Sequence, residues 1–275
     1  MALHLSIRAT SRAFLLAVSK HHNPKTPTAA DWHYHAISSK DVAFGGFFEV
    51  FADYPGFEVD EEAIYITANM FTFVPFGFFA GSRLWIVEKG VGPNGFYDGG
   101  PAVASSALDP YAATGISFLA GTTMPAQVFG DGGVASGIGT FLVEYSGLTN
   151  GVQEFVNVFR VDDPLGVSGG PSFTQQFINV GNIENFAASF SLPDAPQAGT
   201  SVLIEVNDRR ALDAVWRDAA LWLTTTINPN SGPDAGETTA HWFKLNTSAV
   251  PGGTYIYQIK VGDEFIRANK MILLK

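Results

Sequence analysis

The chain has 275 residues, 16 basic against 26 acidic side chains, and no cysteine. Only 15% of residues are charged, against about 25% in an ordinary soluble domain; 46% are hydrophobic and 23 are Phe, enough to bury a sizeable core and to exclude disorder. Lack of cysteine excludes a disulfide scaffold, a thiolate zinc site and a cysteine nucleophile, and a net charge of −10 argues against nucleic acid and anionic membrane surfaces as partners.

In chain order, the opening MALHLSIRATSRAFLLAVSK places Arg8 and Arg12 before an apolar stretch, Ala13–Val18. That stretch is short and lacks a small-x-small cleavage site, so it reads as a strand rather than a signal peptide. No apolar run reaches the ~18 residues of a spanning helix, and no membrane insertion is expected. The expectation is a chain soluble as written, or one that begins downstream of whatever exported it. Strand-like runs follow at Ala13–Ser19, Trp32–Ile37, Ala63–Met70, Leu84–Glu88, Thr140–Tyr145, Glu154–Val161, Val202–Val206, Leu221–Thr226 and His241–Leu245. They are rich in β-branched and aromatic residues, and clusters of Gly, Pro, Asn and Asp punctuate them. Trp216–Trp222 also reads as strand. The predicted fold is all-β, with no helix longer than about three turns.

A faint repeat organises these runs. VDEEAIYITANMF (59–71) and LDAVWRDAALWLTTTIN (212–228) share an Asp-led turn and then an apolar-aromatic strand, with GTFLVEYSG (139–147) in the equivalent place. Ile66, Leu142 and Trp222 therefore fall in register, and each interval has room for about four strands. Four-stranded units along a chain are the pattern of a β-propeller. The expectation is one propeller-like domain of about three to four blades, roughly 11–41 (partial), 42–108, 112–182, 198–260 and 261–275 (partial), as a small ring or part of a larger one. A β-sandwich is the rival architecture.

FADYPGFEVDEEAIYITANMF with GSRLWIVEK, and VNDRRALDAVWRDAALWLTTTINP with TTAHWFKLNT, resemble segments of large, mostly uncharacterised bacterial propeller-type proteins. The resemblance spans most of Ala13–Lys275 and implies an extracellular or cell-surface location. It implies no activity, and members of that group usually continue past both ends of such a segment.

Two glycine motifs carry no chemistry in this setting. Gly90–Gly95 matches G-x-G-x-x-G, but Pro93 opposes the helix that a dinucleotide site needs. Gly166–Gly170 matches G-x-S-x-G, but Pro171 leads to another strand rather than the helix of a nucleophile elbow. No cofactor is expected. Asp31, His33 and His35 alternate along one strand, with successive imidazoles about 6.5 Å apart, which makes them the weak metal candidates and places Trp32 and Tyr34 on the opposite, buried face. The alternative is a solvated strand carrying a polar residue at every second position. Asn228–Glu237 offers oxygen ligands without the spacing of a calcium loop.

Asp53-Tyr54 and Asp208-Arg209-Arg210 precede the aromatic strand in two of the units. If entering strands line a channel, these five are the ligand-binding candidates, because a carboxylate with guanidiniums can hold a hydroxylated or acidic ligand. The competing account is a structural ion pair. Trp85, Trp216, Trp222 and Trp242 are expected in the core. Two functions follow: a non-catalytic module binding protein or glycan, or a polysaccharide hydrolase or lyase using the channel Asp and Arg residues. Self-association through the terminal blades is a further expectation, with Ala13–Ser19 and Met271–Leu274 as the terminal apolar strands, since unpaired strand edges template pairing.

Overall fold

A computed structural model describes residues 3–8, 12–73, 77–90, 95–116, 121–129, 138–146, 149–167, 169–185, 191–247, 254–261 and 264–272. Among them the protein is all-β: sixteen strands, a 3-10 turn at Phe96–Asp98 and one helix of four residues, α1 (Pro110–Ala113). No helix of the described residues is long and apolar enough to cross a membrane. The chain forms two compact units, Met1–Ala120 with Asp162–Phe173, and Gly121–Val161 with Thr174–Lys275.

The first unit contains two sheets. One is ordered β1 (Leu3–Arg8), β2 (Ala13–Ser19), β3 (Trp32–Ser38); the other is ordered β4 (Asp41–Ala43), β5 (Phe48–Val59), β6 (Ala63–Thr72), β7 (Phe79–Glu88). Alternate residues of each sheet meet in one core. Phe14, Leu16 and Val18 of β2 and Ile37 of β3 join Val50, Ile64, Ile66 and Trp85 of the second sheet, with Phe14 edge-on to Trp85 at 4.9 Å. This is sandwich-like packing. Strand β6 is buried on both faces over almost its whole length, which explains why AIYITANM is apolar without alternation.

Local chemistry sets the ends of these strands. At the β5–β6 turn the Asp60 carboxylate accepts from the amides of Glu62 (2.8 Å) and Ala63 (2.7 Å) and from the Tyr65 hydroxyl (2.6 Å). Pro55 does not end β5. A bulge between Asp53 and Gly56, with Tyr54 at φ +49°, absorbs it.

The second unit is built on one nine-stranded sheet. Strands β8 (Thr123–Val128), β9 (Ile138–Glu144), β10 (Glu154–Asp162) and β11 (Ser172–Gly181) form one run of neighbours. The other run is β12 (Ala211–Arg217), β13 (Ala220–Ile227), β14 (Thr239–Thr247), β15 (Thr254–Val261) and β16 (Glu264–Ile272). A parallel seam between β8 and β12, with Ala126 opposite Ala214, fuses them into a single sheet. The sheet curls. Tyr145, just past β9, and Phe243 of β14 have ring centroids 5.7 Å apart, although four strand spacings separate β9 from β14. In a flat sheet those spacings would hold them about 19 Å apart. The concave face carries the core, including Val143, Val156, Ala214, Trp216, Leu223 and Phe243.

Three sequence expectations need correction. Val202–Val206 is not a strand: Ile204 makes only an isolated bridge to Ala195, and Val202, Leu203 and Ile204 are exposed. Its pairing with 191–195 stays at isolated bridges, Ile204 to Ala195 and Asp208 to Ser191, so strand propensity there does not grow into a ladder. Trp216–Trp222 is not one strand but a hairpin, turning at Asp218 (φ +52°) and Ala219 (φ +53°), the left-handed pair that a two-residue turn requires. The repeat positions are not equivalent either, because Ile66 lies in a core whereas Trp222 lies on the outer face of its sheet.

Candidate functional site

The first unit presents a cavity of about 550 Å³ on the outer face of β2 and β3, lined by Ala17, Pro24, Lys25, Thr26, Pro27, Trp32 and Tyr34. Its size falls within the range of small-ligand sites, roughly 300–1,000 Å³. Two aromatic rings alternate onto this face from one strand, and the loop 20–31 forms the wall. The rings are anchored by their polar ends: Trp32 Nε1 donates to the Thr26 carbonyl (2.9 Å) and the Tyr34 hydroxyl to the Pro27 carbonyl (2.6 Å). Both therefore hold the loop while leaving ring surface at the cavity.

Asp31 clasps the same loop. Its Oδ1 pairs with His21 Nε2 (2.8 Å), and its Oδ2 accepts from the amides of Lys25 (2.9 Å) and Thr26 (2.6 Å) and from Thr26 Oγ1 (2.9 Å). The Thr26 amide, with His21 and the Thr26 hydroxyl, holds this carboxyl far below the usual carboxylate range.

The predicted faces of β3 are reversed. Tyr34 is 53% exposed and Trp32 is half-buried, while Ile37, two residues beyond His35, is in the core. The His35 ring packs at a tilt against Phe96, with centroids 4.2 Å apart, and His33 lies against Gly99. Burial lowers the pKa of His35, and the neighbouring His33 adds to the shift. Asp31 thus closes a loop, and the two imidazoles pack against the turn at 96–99. No group of three or more metal-ligating side chains is present among the described residues. Alternation shows which residues share a face; it cannot show which face the core will cover.

The other predicted residues divide between the units. In the first, Asp53 accepts from the Tyr54 amide (2.8 Å) at the β5 bulge, and Tyr54 is 40% exposed. In the second, Asp208 pairs with Arg210, both part-exposed, while Arg209 points elsewhere. Arg209 is 2% exposed and its Nε donates to Glu184 Oε2 at 2.5 Å, with Nη1 donating to the Ser191 carbonyl (3.2 Å). Glu184 Oε1 also accepts from the Asn228 amide (3.1 Å), and Glu154 Oε2 accepts from the Ile183 amide (2.8 Å). Burial raises both carboxyls, and Arg209 pulls each partly back. Arg209 thus belongs to a buried polar cluster that ties the 182–185 segment to Asn228, rather than to a ligand surface.

Of the tryptophans, Trp85 and Trp216 are core residues as expected. Trp222 and Trp242 are not. They stack on each other at 5.3 Å on the outer face of β13 and β14, with Lys244 Nζ 4.7 Å from the Trp222 ring centroid. Glu144, fully buried at the end of β9, was not singled out by sequence. It accepts from Ser146 through Oε1, and burial pushes its pKa up to about 7 against the lowering by Ser146 and Asn157.

Comparison with protein-family models, with curated proteins and with solved structures finds no match to this chain.

Proposed function

We propose that the protein is a non-catalytic binding module whose ligand is a glycan or protein met outside the cell or at its surface. The observation that carries this reading is the Trp32–Tyr34 cavity. Two rings fixed by hydrogen bonds to a clasped loop offer apolar surface in advance of binding, so little ordering cost falls on the binding step. A pyranose suits such a wall, because its C–H face packs on an aromatic ring while its hydroxyls remain at the rim. The finer architecture within the proposal is propeller-like, with the four-stranded β4–β7 sheet as its blade-like element. Self-association through the edge strands β1 and β16 belongs to the same proposal.

The hydrolase or lyase alternative draws less support. Arg209 is committed to Glu184 and Asp208 to Arg210, which leaves the supposed clamp internally paired. A glycan array with the full chain tests the binding reading, alongside a general glycosidase and esterase screen. Array signals that Trp32→Ala removes are the expected result. Turnover in the screen that Trp32→Ala leaves intact would overturn the binding reading in favour of an enzyme.

A further inference from the structure

The loop that walls the cavity differs in charge from the rest of the chain. Across Lys20–Asp31 the sequence KHHNPKTPTAAD holds two lysines, two histidines and one acid, in a protein whose net charge is −10. The single acid is already occupied, with one oxygen on His21 and the other receiving three donors from Lys25 and Thr26. Lys20 is committed too, its Nζ donating to the Ala29 carbonyl at 2.5 Å. Lys25 differs. It is exposed, it lines the cavity, and its ammonium has no partner among the described residues. The remaining lining groups are two aromatic rings, two prolines, an alanine and a threonine, none of them charged.

We propose that this cavity selects an anionic sugar, a pyranose carrying a carboxylate, with its ring against Trp32 and Tyr34 and its carboxylate paired with Lys25. This rests on the glycan-binding reading above and adds the ligand's charge to it. The pairing is of the charge-assisted kind, stronger than a neutral hydrogen bond. A single cation beside apolar walls gives selectivity for the acidic sugar over its neutral counterpart without requiring a second charged contact.

The test uses the full chain in isothermal titration calorimetry with three probes at low salt: a galacturonic acid hexamer, cellohexaose and sodium acetate. The acidic hexamer is expected to bind about tenfold more tightly than cellohexaose, which corresponds to ~1.4 kcal/mol. Acetate alone is expected to give no heat. Lys25→Gln, an exposed substitution checked by its melting temperature, is expected to bring the ratio of the two hexamers to about one. Equal binding of both hexamers by the wild type, or an unchanged ratio in Lys25→Gln, overturns the anionic assignment and leaves glycan binding standing. Binding of neither hexamer overturns both. Acetate binding as tight as the acidic hexamer shows a bare anion site and also overturns the assignment.

Discussion

Glu144 and His241 show how two buried titratable side chains place opposite demands on pH. Burial raises the Glu144 carboxyl from 4.5 to about 7. A raised folded-state pKa means that the protonated form is the one the fold accommodates. The contribution is therefore fully present below about pH 4.5 and lost as pH climbs through 7. A rise of that size corresponds to about 3 kcal/mol. Glu144→Gln keeps an acceptor for Ser146 and cannot ionise, so it is expected to match wild type near pH 4 and to exceed it by up to that amount at pH 8. Urea unfolding at the two pH values checks this, and a gap that does not change with pH contradicts it. His241 runs the other way. Its ring sits edge-on to Phe243 at 4.8 Å, and burial lowers its pKa from 6.5 to about 4. Its neutral form is the accommodated one, so stability is present above pH 6.5 and lost as pH falls through 4. His241→Gln is expected to be less stable than wild type at pH 7, with the gap narrowing by pH 4 in the same experiment.

At the scale of elements, the loop 20–31 and the turn at 96–99 hold β3 in place from different sides. Asp31→Ala removes the acceptor of three donors and the partner of His21. It is expected to speed proteolysis within 20–30 while leaving the melting temperature nearly unchanged, because the loop lies outside the core. Gly99→Ala attacks the other side. Gly99 has φ +89°, and a Cβ there would meet the His33 ring at 2.7 Å, so a loss of more than about 1 kcal/mol is expected in thermal unfolding. Much of this level was legible in the sequence. Ala13–Ser19 is β2 to the residue, and the polar-aromatic alternation of β3 was evident. Three things were not. Strand β8 carries Pro125 and β11 reads SFTQQFINVG, so neither shows an apolar period; their places come from the parallel seam and from the neighbouring β10. Val202–Val206 has strand propensity but pairs with 191–195 only through an isolated bridge. The inward face of β3 depends on Phe96 and Gly99, some sixty residues away, which no local pattern reports. The cavity went unseen for the same reason: Trp32 and Tyr34 read as buried.

Across the whole molecule, two kinds of surface bear on the self-association proposed above. Among the described residues the terminal strands β1 and β16 are edge strands with one side of each ladder unpaired, whereas Ala13–Ser19, expected as the terminal edge, is inner and pairs with both β1 and β3. In the first unit, the β4–β5 turn and the residues that enter β7 lie at the same end of their sheet. They present Phe44, Phe47, Phe48 and Phe78, with Phe47 85% exposed. Clustered exposed aromatics of this kind rarely stay solvated on a monomer. The two surfaces give separable outcomes. The wild-type chain is expected to show a mass that rises with concentration in light scattering at micromolar protein. The double variant Phe47→Ser with Phe78→Ser removes apolar surface at the tips without touching either terminal edge. If its mass still rises with concentration, strand edges carry the association, as proposed. If it becomes monomeric, the phenylalanine tips carry it and the edges do not. A wild-type chain that stays monomeric throughout that range would overturn self-association altogether, because edges and tips would both then be tolerated in water.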